Sequence, residues 1–302
     1  MAGFASIKRR TLCLALALSS LIVPSFSAAH AQVTTGEDGR TVVPRDTAKP
    51  AAHRTLFTYR DAALAAAFAG LTVAMLPVDR HIAESLQDED LQANKFFDRS
   101  GRGVEWISTP GSFIIGGGLY AIGKIGGYKD LADLGWHGTE AVLLASTVTS
   151  VLKGTLGRSR PYVNGDTIPG DFHFGWGFGG GNYKPGYSSK DYVSFPSGHT
   201  TTAFAAASVV TSEARRIWPK SVPYVATAMY GGATLVGLSR MYHNNHWASD
   251  VVLGAAVGTF SGLKVVRYSH AHPDNKLDKF ILGATLLPTP NGATLSLTLP
   301  AP

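Results

Sequence analysis

The chain of 302 residues contains a single cysteine, Cys13, and it carries little charge. Asp, Glu, Lys and Arg make up 16% of the residues, against roughly 25% in an average soluble domain. One cysteine cannot form an internal disulfide, which excludes a disulfide-stapled scaffold. The scarcity of charge argues against a coiled coil and against a protein that binds nucleic acid through dense basic patches, so we expect no nucleic-acid partner.

Small and apolar residues take the place of the missing charge. Apolar residues make up 45% of the chain, and 34 of the 302 residues are glycine. The glycines do not follow the triplet period of collagen. This composition excludes a disordered chain and favours closely packed helices, either in water or in lipid.

The first 31 residues have the features of an export signal. Three basic residues precede an apolar stretch over 11–23, and Ala29-His30-Ala31 has the small residues of a cleavage site. An uncleaved membrane anchor is the alternative, which the shortness of the stretch and Pro24 disfavour. Cleavage removes the cysteine, three basic residues and no acidic one, which lowers the formal net charge from +6 to +3. We therefore expect a signal peptide over 1–31 and an exported, periplasmic protein, either soluble or associated with a membrane.

The rest of the chain divides into three parts. Residues 32–56 are polar and contain two prolines, which predicts a flexible N-terminal segment. Residues 57–270 alternate uncharged stretches with polar connectors and form the predicted main domain. Residues 271–302 form a tail in which a partial two-residue alternation and the turn signal Asn291-Gly292 predict a β-hairpin.

Six uncharged stretches in the main domain predict an all-α architecture. Their lengths suit helices better than strands, and alanine dominates several of them. A membrane-spanning helix needs about 20 predominantly apolar residues, and most of these stretches are shorter or are diluted by Gly, Ser and Thr. The composition slightly favours a domain outside the cytoplasmic membrane, with spanning helices as the alternative. The six predicted helices cover residues 62–78, 106–123, 141–152, 200–212, 221–239 and 251–263.

The connector over 162–195 is rich in glycine and aromatic residues. Such a loop is typical either of a lid or rim that faces a substrate, or of a surface excursion that packs on itself. Both interpretations stay open from the sequence.

Three short segments at the ends of predicted helices concentrate basic and imidazole side chains. Each has an ordinary explanation when taken alone. Cations at a helix C-terminus complement the helix dipole, Pro-Ser-Gly begins helices, and a His–Asp pair four residues apart stabilises one. The segments are 153–161 (KGTLGRSRP), 195–200 (FPSGHT) and 239–250 (SRMYHNNHWASD).

Together the three segments contain every part of a site that binds and attacks a tetrahedral oxyanion. Guanidinium and ammonium groups bind phosphate oxygens. The backbone N–H groups at Ser197 and Gly198 begin a helix and point at an anion, which glycine lets approach closely. One histidine can act as nucleophile and a second as acid for the leaving group, while a carboxylate four residues past the nucleophile holds its tautomer. The combination predicts phosphoryl transfer without a metal.

In order and spacing, the motifs Lys-x6-Arg-Pro, Pro-Ser-Gly-His and Ser-Arg-x5-His-x3-Asp resemble the signature of the type 2 phosphatidic acid phosphatase superfamily. That superfamily also contains the bacterial non-specific acid phosphatases and the vanadium haloperoxidases. The three motifs are present without a gap, and the resemblance spans roughly residues 57–270. It implies a phosphatase domain with an all-α, six-helix core bundle, to which the sequence adds the short C-terminal β-hairpin.

The resemblance also implies a role for each matched residue. His246 attacks phosphorus and becomes a phosphohistidine, and Asp250 orients it. His199 protonates the leaving oxygen and then activates water. The residues that hold the phosphate oxygens are Lys153, Arg160, Ser197, Gly198 and Arg240.

We therefore expect a phosphoric monoester hydrolase that acts on phosphomonoesters or diphosphates without a metal or other cofactor. Phosphorylated lipids are the favoured substrates, because low-charge helices are compatible with membrane contact. A soluble non-specific acid phosphatase that takes small phosphoesters is one alternative. A vanadium-dependent haloperoxidase is another, in which the same residues hold vanadate with His246 as its axial ligand, although the chain is short for that branch.

Several other polar residues receive structural interpretations. His243 and His246 are three residues apart, but no third ligand follows at a metal-binding spacing, so we predict no metal site there. His137 and His173 are isolated in the sequence, and we interpret both as structural or solvent-exposed. Arg158 lies inside the first motif and is a candidate for an additional phosphate contact that the pattern does not require.

Overall fold

The computed structural model of the chain describes residues 56–272, 275–278, 284–289 and 292–297. The predicted signal peptide and all but the last residue of the predicted flexible segment 32–56 lie outside these residues. The helices belong to a compact unit that begins at Thr58. The α-helices of the described residues are α1 (Tyr59–Met75), α2 (Asp79–Leu86), α3 (Glu89–Gln92), α4 (Lys95–Ser108), α5 (Gly111–Gly126), α6 (Lys129–Leu156), α7 (Gly198–Ile217), α8 (Val222–Tyr242) and α9 (Ala248–Ala271).

Helices α6, α7 and α9 form the centre of the domain, and each packs against the other two. Their contact is made by small apolar side chains such as Ala145, Ala205 and Val265, which are buried. A Cβ atom at Gly258 of α9 would lie 2.2 Å from the backbone oxygen of Thr201 on α7. Only glycine permits so close an approach, and the crossing fixes α7 and α9 relative to each other.

The remaining helices surround this centre. Helix α1 packs on α9, α4 packs on α8, α5 packs on α6, and α8 packs on α7. Helices α2 and α3 join α1 to α4. All three described motifs therefore lie at helix ends of one bundle: α6 ends in the first, α7 begins in the second, and the third joins α8 to α9.

The chain is all-helical in its main domain, as predicted, but the count of six helices is wrong. Each of the six predicted stretches overlaps one of the long helices α1 and α5–α9, whereas α2, α3 and α4 were not predicted. Helix α4 was missed because it is amphipathic and carries charges, so that only its last three residues, 106–108, fall within an uncharged stretch. The stretch 106–123 is also not one helix, since α4 ends at Ser108 and α5 begins at Gly111.

Two helical segments of the described residues, Tyr59–Leu86 and Ala248–Ala271, are long and apolar enough to cross a membrane. The second is mostly buried among other helices, which is also typical of the core helix of a soluble protein. Large apolar side chains are more exposed on the neighbouring helices α5 and α6. The exposed large apolar residues on these two helices are Ile114, Ile115, Ile122, Ile125, Leu143, Leu144, Val148 and Val151.

The connector 162–195 contains short 3₁₀ turns and packs largely on itself. The ring of His173 stacks on that of Trp176, with centroids 3.9 Å apart, and Tyr183 and Tyr192 contact the same indole edge-on. His173 also pairs with Asp171 at 2.7 Å. This agrees with the interpretation of a self-packed loop, and the C-terminal end of the loop reaches the candidate site described below.

Two strands occupy the tail for which the sequence predicts a β-hairpin. Strand β1 (Ala284–Thr289) and strand β2 (Gly292–Leu297) pair antiparallel, with Ala284 opposite Leu297 and Thr289 opposite Gly292. The strands form a two-stranded sheet of their own.

Candidate active site

The third motif places His246 and Asp250 side by side where α9 begins. Asp250 lies in the first turn of α9, and its Oδ2 accepts a hydrogen bond from the backbone N–H of Trp247 at 2.8 Å. Nδ1 of His246 lies 3.4 Å from the same oxygen, slightly longer than an ordinary hydrogen bond. Because Nδ1 faces the carboxylate, Nε2 is the ring nitrogen left for a substrate.

The surroundings of His246 favour the neutral form of its imidazole. The side chain is almost completely buried. Burial is the main cause that lowers its pKa well below the usual value, and the charges of Lys153 and Arg160 lower it further, whereas Asp250 acts in the opposite direction. A neutral imidazole has the free lone pair that a nucleophile requires.

Asp250 is held in its ionised form. Its Oδ1 accepts a hydrogen bond from Nη1 of Arg158 at 2.5 Å, and its Oδ2 accepts one from the hydroxyl of Ser194 at 2.5 Å. Burial raises the pKa of this carboxyl, but the charge of Arg158, the adjacent imidazole of His246 and the hydrogen bond from Ser194 outweigh it and lower the pKa to about 2. The carboxylate can therefore orient an imidazole across the physiological pH range.

Arg158 lies behind Asp250 and contacts a second carboxylate. Its Nη2 donates to Asp79 at 2.8 Å, its Nε donates to the backbone oxygen of Pro169 at 2.9 Å, and its Nη1 also donates to Ser249 at 2.7 Å. The side chain is completely buried. The candidate role of Arg158 as an extra phosphate contact is therefore wrong, because its donors already face protein oxygens. Aromatic rings within 5.5 Å of its guanidinium carbon belong to Phe172, Phe195 and Trp247.

Lys153 and Gly198 bring the first and second motifs together. A Cβ at Gly198 would lie 3.6 Å from Cε of Lys153. The ammonium group donates to the backbone oxygen of Val193 and lies 3.4 Å from that of Ser194. Burial, followed by the charge of Arg160, lowers the pKa of Lys153 to about 7. An incoming phosphate would favour the charged form and raise this pKa.

Ser197 occupies the N-cap position of α7. Its backbone N–H donates to the backbone oxygen of Asp250 at 2.9 Å, so this N–H does not point at an anion as the sequence had suggested. Its hydroxyl oxygen accepts a hydrogen bond from Thr200 at 2.9 Å and keeps its own proton to donate. Gly198 is the first residue of the helix, where backbone N–H groups have no partner within the helix.

Arg160 and Arg240 each have a protein group that positions the guanidinium. Nη1 of Arg160 donates to the side-chain oxygen of Asn245 at 2.9 Å. Nη1 of Arg240 donates to Oε2 of Glu105 at 2.6 Å, and Nε of Arg240 is buried without a hydrogen-bond partner. Glu105 thus occupies one part of this guanidinium, and Nε remains for a phosphate oxygen.

Glu105 reaches the site from α4. Its Oε1 accepts hydrogen bonds from the hydroxyl of Ser239 at 2.6 Å and pairs with Nδ1 of His243 at 2.7 Å. Burial raises the pKa of Glu105, but these hydrogen bonds and the charge of Arg240 lower it below the usual value. His243 is therefore a polar partner of a carboxylate, in agreement with its structural interpretation.

His199 lies in the first turn of α7, close to the three cations. Burial lowers its pKa to about 4, and the charges of Arg240, Lys153 and Arg160 act in the same direction while Glu105 opposes them. A phosphate dianion placed among these cations would offset their charge and raise the pKa of His199. Its proton affinity is thus coupled to the presence of an anion.

A polar cavity of about 450 Å³ opens beside Arg240. It is formed by the end of α2, by α3 and α4, and by the segment that follows α8. Its lining consists of Gln87, Gln92, Asp98, Arg102, Glu105, Arg240, Tyr242, His243, Asn244 and Asn245.

The structure adds four residues to those that the motifs indicated: Asp79, Glu105, Ser194 and Asn245. Only Asn245 lies inside a motif. Asp79 and Glu105 are 79 and 135 residues from the arginines they contact, so no local spacing marks them. The sequence contains a weak signal for Asp79, because this residue directly follows the uncharged stretch 62–78. A carboxylate next to such a stretch can be buried, and a buried charge needs a partner.

The helix ends bring together a buried histidine–aspartate pair, a second histidine, and an ammonium and two guanidinium groups at one end of the bundle. The family model described as the PAP2 superfamily matches residues 135–274, just under half of the chain. This match confirms the resemblance to the superfamily that was drawn from the three motifs.

Curated relatives match over limited stretches. The lipid A 1-phosphatase of Porphyromonas gingivalis is 46% identical over 69 residues, which are 23% of this chain and 15% of that protein. The lipid A 1-phosphatase of Rhizobium johnstonii is 30% identical over 125 residues, which are 40% of this chain and 42% of that protein. The chain thus spans less than half the length of these relatives.

A solved structure shares the fold. It is described as the first transmembrane PAP2 type phosphatidylglycerolphosphate phosphatase from Bacillus subtilis, and it superposes with a TM-score of 0.51 at 21% sequence identity. The superposition covers 70% of this chain and 97% of the other. The all-helical architecture predicted from the sequence is therefore shared with a PAP2 type protein.

Proposed function

We propose that the protein is a phosphatase that hydrolyses lipid phosphates through a phosphohistidine on His246. The observation that carries this proposal is the buried imidazole of His246, whose Nδ1 faces Asp250 while its pKa is lowered by burial and by Lys153 and Arg160. Attack on a phosphate requires a neutral nucleophile, a carboxylate that orients it, and cations beside the transferred group.

In the first step, Nε2 of His246 attacks phosphorus and a P–N bond forms as the P–O bond to the leaving group breaks. His199 takes up a proton when the phosphate binds, and it donates this proton to the leaving oxygen. Asp250 balances the positive charge that develops on His246. Lys153, Arg160 and Arg240 hold the non-bridging oxygens, with the hydroxyl of Ser197 and the N–H of Gly198 beside them.

In the second step, His199 accepts a proton from a water molecule as its oxygen attacks phosphorus. The P–N bond breaks, His246 returns to its neutral form, and inorganic phosphate leaves. Because the three cations supply the positive charge that stabilises the transferring group, we propose that the reaction needs no metal or other cofactor.

Two observations support a lipid substrate. The curated relatives at 30% and 46% identity are named as lipid A 1-phosphatases, and α5 and α6 carry a group of exposed aliphatic side chains that water does not favour. We propose that this face contacts a membrane and that the protein is exported to the periplasmic side. The substrate then presents its phosphate to the site from the membrane surface.

The test is phosphate release by the full chain in detergent, with a chelator present. The substrates are lipid A, phosphatidic acid, a polyprenyl diphosphate and a soluble aryl phosphate. His246→Ala should abolish release, whereas His81→Ala, a change on the exposed face of α2, should not. Preference for the aryl phosphate would overturn the lipid assignment. No release of phosphate from any substrate would overturn the phosphatase proposal, and halide oxidation with added vanadate and peroxide would then test the haloperoxidase alternative.

A further inference from the structure

A second cluster of reactive side chains lies at the opposite end of the three central helices. His137 lies on α6, Glu213 on α7 and His270 on α9. With a rise of about 1.5 Å per residue, they lie about 20–30 Å along their helices from Lys153, His199 and Asp250. The cluster is therefore separate from the candidate active site, although the same helices carry both.

The side chains converge on one carboxylate oxygen. Nδ1 of His137 and Nε2 of His270 each lie 2.8 Å from Oε1 of Glu213. The two imidazole rings are 5.3 Å apart and nearly perpendicular, and the three ligand-type atoms all lie within 4.8 Å of one another. His137 and Glu213 are almost completely buried, while the His270 side chain is 37% exposed and leaves a route from solvent.

Further carboxyl groups and one guanidinium surround the cluster. Arg216 donates to the other oxygen of Glu213 at 3.1 Å and so leaves Oε1 to the histidines. Asp133, one turn before His137, is buried and acts electrostatically on both histidines. Glu140, three residues after His137, has a buried Oε2 with no hydrogen-bond partner. Asp278 faces Glu140 from beyond α9.

We propose that His137, Glu213 and His270 bind a divalent transition-metal ion of the Zn²⁺ type. Two imidazole nitrogens and one carboxylate oxygen are a ligand set that zinc accepts, with water in the remaining position. Without metal, a ring N–H of each histidine donates to Glu213. On binding, the proton of a neutral imidazole moves to the other ring nitrogen, and that of a charged imidazole is released to solvent. The ion ties together the three helices that position the phosphate site.

The proposal is tested on the full chain after treatment with a chelator and its removal. Thermal unfolding is followed with Zn²⁺, with Mg²⁺ and with no metal. Zn²⁺ at a hundredfold excess over its Kd should raise the Tm by about 5–10 °C, because it binds only the folded state. Mg²⁺ should not, because it prefers oxygen ligands. An unchanged Tm with Zn²⁺ would overturn the proposal.

Variants separate this site from chance binding at surface histidines. His270→Ala should abolish the response to Zn²⁺, and its half-exposed position makes a folding failure less of a concern than at His137. His272→Ala removes an exposed histidine two residues away and should leave the response intact. An equal response in both variants would overturn the site.

Cobalt provides a readout that does not depend on stability. Co²⁺ bound by two histidines and a carboxylate gives visible absorption bands that differ from those of the hydrated ion. The wild type and His272→Ala should show these bands at one equivalent of metal, and His270→Ala should not. Absence of the bands in the wild type, or their presence in His270→Ala, would contradict the assignment.

Discussion

Replacing Arg158 by Met removes the one cation that contacts both Asp79 and Asp250 within the described part of the chain. Arg158 and both carboxylates are completely buried. Loss of one partner from a buried ion pair costs about 3–5 kcal/mol, because a charge is left without compensation. In a domain of this size, that loss lowers the Tm by about 6–20 °C. Arg80→Met breaks an exposed pair with Glu84 and should change stability by less than about 0.5 kcal/mol.

The same substitution should also move the pH dependence of activity. The pKa of Asp250 is lowered to about 2 although burial raises it, and Arg158 is the largest cause of the lowering. Asp250 is ionised above that pH and loses its charge as the pH falls through the pKa. Without Arg158, burial raises the pKa toward or above the unfolded value of about 3.9, so the acid limb of kcat/KM moves to higher pH.

The assays are thermal unfolding and the pH profile of kcat/KM, measured on the wild type, Arg158→Met and Arg80→Met. If Arg158→Met has the Tm of Arg80→Met and keeps the acid limb of the wild type, the reasoning about the buried network is refuted. A lower Tm with an unchanged acid limb would leave Arg158 a structural residue without influence on Asp250.

Three further predictions follow from single contacts. Gly258→Ala should lower the free energy of unfolding by about 1–3 kcal/mol, because the added methyl group overpacks against Thr201. Gly231→Ala on α8, where a Cβ has open space, should raise the free energy of unfolding by about 0.5–1 kcal/mol. Equal effects of the two substitutions in denaturant unfolding would contradict this. Because the pKa of Lys153 is lowered to about 7 in the free site, its charge is lost as the pH rises through that value. The wild type should therefore bind inorganic phosphate more tightly than Lys153→Met at low pH, and the ratio of their Ki values should approach one above neutral pH. A ratio of Ki values that does not change with pH would refute this role of Lys153. Glu105→Ala should raise KM by about tenfold, because Arg240 loses the charge-assisted hydrogen bond that positions its guanidinium. Glu105→Gln should raise KM less. A change in kcat alone would contradict the positioning of Arg240 by Glu105.

The sequence predicted the parts of the protein that depend on residues close to each other along the chain. The long helices follow from stretches of uncharged residues that include Ala141, Ala205 and Ala255. The candidate site was proposed from motifs whose members lie within 12 residues of each other, and the motifs lie at helix ends of one bundle. His246 and Asp250 are an example, since the turn before α9 holds them side by side although His246 itself precedes the helix.

What the sequence could not predict depends on contacts between distant segments. Asp79 meets Ser249 across 170 residues, and Glu105 meets Arg240 across 135. His137 was interpreted as an isolated residue, but packing of α6 on α7 brings it to Glu213, 76 residues away. No periodicity encodes such pairs, because each side chain alone is an ordinary polar residue on a helix.

Trapping the covalent intermediate tests the central claim most directly. The full chain is mixed with a substrate that carries a labelled phosphoryl group and is quenched within a turnover, and the label is mapped to a peptide. We predict an acid-labile, alkali-stable label on the peptide that contains His246, and no label in His246→Ala. Turnover without any label on the protein, or a label that remains in His246→Ala, would contradict the proposed mechanism.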